Sequence, residues 1–152
     1  MKYEFIIYGS GISAKIVTSL LAKKGFKVCL ITDRNPDLSR SKTNLVTFLS
    51  QGSLDYLSAN IPMTTLFDLY PEIRTIDCLL NSINGNKFQS IRFNEDKKEI
   101  LVKIIKNNEL EKYLDEDIKN STNLNIIYSK QPPSVQNTIN GVNLTLQNGE
   151  CL

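Results

Sequence analysis

The chemistry-bearing residues of this chain cluster near its start. Gly9, Gly11 and Ala14 stand in the order G-x-G-x-x-A, with Ser10, Ile12 and Ser13 between them and Asp33 24 residues after Gly9. That spacing suits the cradling of a dinucleotide pyrophosphate. The first glycine allows a tight turn, the second lets phosphate oxygens approach the backbone, and the small third residue lets a helix pack closely on the preceding strand. The phosphates would lie at the helix start, where backbone N–H groups lack helical partners and the positive end of the helix dipole points outward. The hydroxyls of Ser10 and Ser13 add donors, and the Asp33 carboxylate suits a ribose diol. Two plainer readings stand beside these: a glycine turn without a ligand, and an Asp33 that is only a solvated residue after a strand.

Other chemistry is limited by what the chain lacks. It has no histidine and three widely spaced cysteines, Cys29, Cys78 and Cys151. Ser-His and Cys-His nucleophile schemes are therefore excluded, and neither a zinc set nor a disulfide framework is expected. Any acid or base step falls to carboxylates, tyrosine, lysine or a cofactor. Cys29 lies in an apolar run and reads as a small buried hydrophobe, in keeping with a reduced, cytoplasmic setting. The net charge is +2, with acids and lysines spread throughout, so nothing points to nucleic acid or an anionic membrane surface. The apolar-rich run 5–21 is broken by Gly9, Ser10, Gly11, Ser13 and Lys15 and reads as neither a membrane span nor a signal peptide.

The elements that must position the turn are legible in the pattern. At 152 residues and 41% hydrophobic, the chain has the size of one domain. Residues 3–8, "YEFIIY", read as a buried strand, and Ile12, Ile16, Val17, Leu20 and Leu21 recur at helical spacing as far as Lys24. Lys23 and Lys24 suit the negative end of that helix and Gly25 its stop. "KVCLIT", residues 27–32, is a second buried strand, giving a β-α-β unit with parallel strands. Residues 33–44 read as a polar loop. A helical pattern of Leu54, Tyr56, Leu57 and Ile61 then runs to Pro62, and a further helix is expected around "TTLFDLY". From Thr75 the texture becomes hairpins: apolar runs around Asn84-Gly85-Asn86, and strands around Asn140-Gly141. Between them, Leu110, Leu114 and Ile118 mark a helix, followed by the strand "NLNIIYS". A last turn is expected at Asn148-Gly149.

The spacing of Gly9, Gly11, Ala14, Leu21, Gly25 and Val28 resembles the extended FAD-binding pattern of glutathione-reductase-type flavoproteins. The wording "GSGISAKIVTSLLAKKGFKVCLI" is most similar to the start of the ubiquinone-biosynthesis (2-polyprenylphenol) hydroxylases, class A FAD-dependent monooxygenases related to p-hydroxybenzoate hydroxylase. "NLVTFLSQGSLDYL", "IIKNNELEKYL" and "VNLTLQNGECL" are similar, in the same order, to later segments of that family.

The resemblance implies an α/β fold: a Rossmann-like FAD-binding β-α-β unit with helices, followed by a β-rich hairpin segment, together an incomplete domain. Residues 1–74 would form the dinucleotide-binding unit with its loop and helix region. Residues 75–152 would begin the β-rich substrate domain and the return strands. The implied cofactor is FAD, contacted by Gly9, Ser10, Gly11, Ile12, Ser13, Ala14, Asp33, Arg34 and Arg40, with NAD(P)H or another reductant as electron donor. The family's acid commonly falls at Thr32. Its arginine before the second segment falls in register on Leu45, so that Arg40 or Lys42 replaces it only across a longer loop. Asn107 matches the family's asparagine or caps a helix, and Asn108 and Glu111 replace an arginine and a glutamine. The implied substrate is a small aromatic or polyprenylphenol, with no transmembrane segment and peripheral attachment to a membrane or biosynthetic complex. The family's later motifs do not occur, so the chain reads as an N-terminal portion, inactive alone and without an assigned catalytic residue. Three other readings are another FAD-dependent oxidoreductase, a small NAD(P)-binding module without catalysis, and a cofactor-free fragment.

Overall fold

The computed structural model describes residues 2–34, 44–80, 89–93 and 100–152. In chain order the elements are β1 (Phe5–Tyr8), α1 (Ile12–Lys23), β2 (Val28–Thr32), β3 (Val46–Ser50), α2 (Gln51–Asn60) and α3 (Thr64–Asp68). There follow β4 (Glu72–Ile73), β5 (Ile76–Leu80), β6 (Gln89–Phe93), β7 (Val102–Lys106), α4 (Asn107–Lys119), β8 (Leu124–Tyr128), β9 (Ser134–Thr138) and β10 (Gly141–Thr145). The chain is thus mixed α/β with small sheets, and it divides into two compact units. The first holds Met1–Thr43 and Asn108–Leu152, the second Asn44–Asn107.

The first unit is built on a three-stranded parallel sheet in the order β1-β2-β8. Each residue of β2 is buried, as expected for an apolar, β-branched strand with neighbours on both edges. Side chains alternate across a strand, so Cys29 and Ile31 face one side of the sheet and Val28, Leu30 and Thr32 the other. On the first side, Cys29 and Ile31 pack with Leu144 and Leu146, flanked by Tyr3, Ile6, Ile127 and Leu152. The β9–β10 hairpin is antiparallel, with Val142 opposite Asn137. Beyond the turn at Asn148-Gly149 the chain folds back: Leu146 donates to Glu150 at 2.8 Å and Leu152 to Leu144 at 2.8 Å. Helix α1 packs on β1 and β2. It stops where the sequence places the stop, with Gly25 at φ +88, the N–H of Gly25 on Ala22 and that of Phe26 on Leu21.

The apolar residues Ile12, Ile16, Val17, Leu20 and Leu21 recur along this helix as their spacing predicts, but they are not its most buried positions. The buried residues are instead Lys15, Thr18, Ser19 and Ala22, and Val17 is exposed. The physical reason lies on α4, whose carboxylates meet this polar face.

In the second unit, β7 is central in the order β3-β7-β4, antiparallel to both neighbours. Leu49 and Ile105 are buried, as are Leu54, Leu57, Ile61, Met63, Leu66 and Phe67 from the α2–α3 region, whereas Tyr56, counted in the helical pattern, is exposed. Ser50 caps α2 by accepting from the Ser53 N–H at 3.4 Å. Lys103 is buried, and its ammonium donates to the Phe67 carbonyl at 3.0 Å, near the end of α3. Asn107 opens α4, and its side-chain carbonyl accepts from the Thr47 hydroxyl at 2.7 Å. Strands β5 and β6 pair antiparallel with Asp77 opposite Arg92. The Arg92 guanidinium, hydrogen-bonded to Asp77, holds that carboxyl below its ordinary range. The Asn84-Gly85-Asn86 turn lies outside the described residues.

The three cysteines are free. Burial, aided by the Glu150 charge, pushes the Cys29 thiol up to about 11, so it stays a protonated, unreactive thiol at neutral pH. In native protein at pH 8, iodoacetamide should modify the exposed Cys78 and Cys151 and spare Cys29, which becomes reactive only in denaturant. Mass spectrometry of the peptides reads the pattern, and native alkylation of Cys29 would contradict the packing of β2.

Candidate functional site

The turn after β1 has the geometry its residue types demand. Gly9 sits at φ +151, and a Cβ built on it would lie 3.2 Å from the Cβ of Ala14. Its N–H donates to the Ile31 carbonyl at 2.9 Å, which fixes the departure of the chain from the sheet. The glycine and the alanine are therefore one requirement: the strand end and the first helical turn approach too closely for larger side chains.

Gly11 meets a different need. It is the N-cap of α1, extended at φ −82 and ψ 170, with no side-chain capping bond. A Cβ there would meet nothing within 4 Å. The first helical bond runs from the Lys15 N–H to the Gly11 carbonyl at 3.1 Å, so the N–H groups of Ile12, Ser13 and Ala14 have no acceptor within the helix. No acidic residue occupies the first turn. An open glycine before an uncapped, unneutralised helix start suits an approaching anion.

The parallel register brings further groups to the same edge of the sheet. Tyr8 lies opposite Ile31 and Thr32 opposite Tyr128, so the loops leaving the carboxyl ends of β1, β2 and β8 share one edge, the usual ligand side of such sheets. Asp33 is there and exposed. The Arg34 N–H donates to the Thr32 hydroxyl at 3.2 Å, and its guanidinium, 63% exposed, lies 3.9 Å from Glu111. Ser10 and Ser13 flank the turn, Ser10 half-buried and Ser13 exposed. Arg40 lies outside the described residues.

The structure also brings together residues that the motif reading did not assign to the site. Lys15, in the first turn of α1, has its ammonium 2.8 Å from Asp115 and 3.8 Å from Glu111. Ser19 donates to Asp117, which also pairs with Lys23 at 2.6 Å. A signal existed: Lys15, Ser19 and Lys23 repeat every four residues, and Glu111 and Asp115 do likewise, so each set lies on one helix face. Among the described residues no group of three or more possible metal ligands occurs, and no helix is long and apolar enough to cross a membrane.

The residues present fit the ADP portion of a dinucleotide cofactor: open backbone at Gly11, free N–H groups beyond it and a carboxylate at the neighbouring strand end. No protein-family model and no curated protein matches the chain. Solved structures do. A probable FAD-dependent monooxygenase of Pseudomonas aeruginosa, PqsL, superposes with a TM-score of 0.68 at 14% identity, covering 99% of this chain and 40% of its own. The p-nitrophenol 4-monooxygenase PnpA of Pseudomonas putida gives 0.67 at 11% identity, covering 97% and 38%. The Diels-Alderase PyrE3 of pyrroindomycin biosynthesis gives 0.70 at 16% identity, covering 97% and 30%. The chain has the fold of part of an FAD-dependent monooxygenase. It spans well under half the length of these neighbours, and at such identities the likeness carries the fold alone.

The two glycines should separate in their effects. Gly9→Ala combines a positive-φ position with the close Ala14 contact and should lower stability by about 1–3 kcal/mol, read as a fall in Tm. Gly11→Ala should cost at most about 1 kcal/mol, the N-cap preference of glycine over alanine, while obstructing the open face in front of the helix. Nucleotide affinity should thus fall in Gly11→Ala with Tm nearly unchanged; equal affinity in Gly11→Ala and the parent would contradict the assignment of that face.

Proposed function

We propose that the chain binds the ADP portion of FAD at its glycine turn, as the nucleotide-binding segment of a flavin-dependent monooxygenase. The observation that carries this reading is the open Gly11 before the uncapped start of α1, at the carboxyl edge of a parallel sheet. The likeness in fold to FAD-dependent monooxygenases supports the choice of cofactor. Gly9 and Ala14 shape the turn, the N–H groups of Ile12, Ser13 and Ala14 meet the pyrophosphate, and Ser10 and Ser13 add hydroxyl donors. Asp33 takes the ribose hydroxyls, and Arg34 and Arg40 are the further residues assigned to the cofactor.

Bound flavin would supply the redox chemistry. The finer reading is hydroxylation of an aromatic, polyprenylphenol-type ring in ubiquinone biosynthesis, in the cytoplasm or at a membrane surface, with NAD(P)H or another reductant as donor. It is supported by the wording of residues 9–31. A neighbouring monooxygenase, PqsL, has been solved in complex with the aromatic compound 2-aminobenzoylacetate, which favours an aromatic substrate class.

The test is a ligand series on the 152-residue chain. FAD and ADP should both raise Tm, with a stabilisation near 2.7 kcal/mol at a free ligand concentration about 100 times Kd. FMN and riboflavin, which lack the ADP portion, should leave Tm unchanged. No response to FAD or ADP would overturn the proposal. A response to NADH and ADP without one to FAD would favour a nicotinamide-binding module instead.

A further inference from the structure

Lys15 is 7% exposed and Asp115 8%, so their ion pair at 2.8 Å is withdrawn from water. Such pairs contribute little net stability, because desolvation offsets the attraction, and apolar residues of similar volume often hold an interface at least as firmly. A charge row adds direction. Apolar side chains tolerate sliding, whereas a lysine that must meet its carboxylate fixes the register of one helix on another, the best-attested role of buried polar pairs. On α1 the row is Lys15, Ser19 and Lys23; on α4 its partners are Glu111, Asp115 and Asp117.

The row begins at the turn itself. The residue whose side chain is anchored on α4 is the one whose N–H closes the first helical bond, to Gly11 at 3.1 Å. Glu111 joins this anchor to a second point of the same edge, with one oxygen 3.8 Å from Lys15 and the other 3.9 Å from Arg34. We infer that Lys15 is a positioning residue of the nucleotide site. Held by Asp115 and Glu111, it sets the first turn of α1 so that the N–H groups of Ile12, Ser13 and Ala14 converge on the pyrophosphate. This inference rests on the FAD reading above.

Stability and affinity separate the positioning role from a merely structural one. Lys15→Met leaves Asp115 buried without its lysine and should lower both Tm and ADP affinity. Lys15→Met with Asp115→Leu replaces the pair by apolar packing: Tm should return to near the parent value while ADP binding, measured by calorimetry, stays about tenfold weaker, a difference of about 1.4 kcal/mol. Lys15→Arg, which keeps the charge, should restore most of the affinity. If the apolar pair does not refold, Lys15→Gln with Asp115→Asn, similar in shape and uncharged, is read by the same criterion. Parental affinity in a double variant of parental Tm would overturn the inference and leave the FAD reading standing. Failure of the parent chain to bind either ADP or FAD would overturn that reading, and the inference with it.

Discussion

The complete burial of β2 is the constraint on which the first unit depends. Its five residues are each buried, Val28–Ile31 pairing with β1 on one edge and all five with β8 on the other. Such a strand cannot present a polar face, and "VCLIT" supplies none until its last residue. Because all three strands run parallel, their carboxyl ends share one edge, which therefore carries the glycine turn, Asp33 and Arg34. Parallel strands also require crossovers. The first is α1; the second, between β2 and β8, carries the whole second unit before returning through α4.

The first unit is held by two kinds of contact. Toward the β9–β10 hairpin the contact is apolar, with Cys29 and Ile31 against Leu144 and Leu146, and its strength comes from area removed from water. On α1 the most buried positions include a lysine, a threonine and a serine, and its partner α4 brings carboxylates. Removing an ion from water costs several kcal/mol unless its partner is well placed. The arrangement therefore survives only with close matching, which the Lys15–Asp115 and Lys23–Asp117 distances provide. The demanding face includes the first turn of α1, where alignment matters most for an anion.

Much of this was legible in the sequence because it rests on local signals. "YEFIIY" and "VCLIT" are too short and too β-branched for helices, Gly25 stops α1 at the expected place, and Asn140-Gly141 joins two strands as its type predicts. The pairing of β3 with β7 was not legible, because residues 46–50 and 102–106 are far apart in sequence and carry no turn signal between them. The buried face of α1 was not legible for a related reason. Hydrophobic periodicity assumes that the covering surface is apolar, and the composition of α4, distant in sequence, decides otherwise. At the site, the conformation of Gly9, the close approach of Ala14 and the open space before Gly11 follow from residue type. The part played by Lys15 depends on a partner a hundred residues away.

This division also accounts for a fold that persists at identities of 11–16%. The candidate pyrophosphate site is made mainly of backbone: N–H groups, a φ angle and space left by missing side chains. Backbone donors are the same whatever the sequence, and the close approach of Gly9 to Ala14 is where the turn itself requires small side chains. The surrounding packing can be rebuilt freely, provided that the helix start stays in place. A buried charge row is one way to keep it there, and it needs only a lysine on one helix and carboxylates on the other.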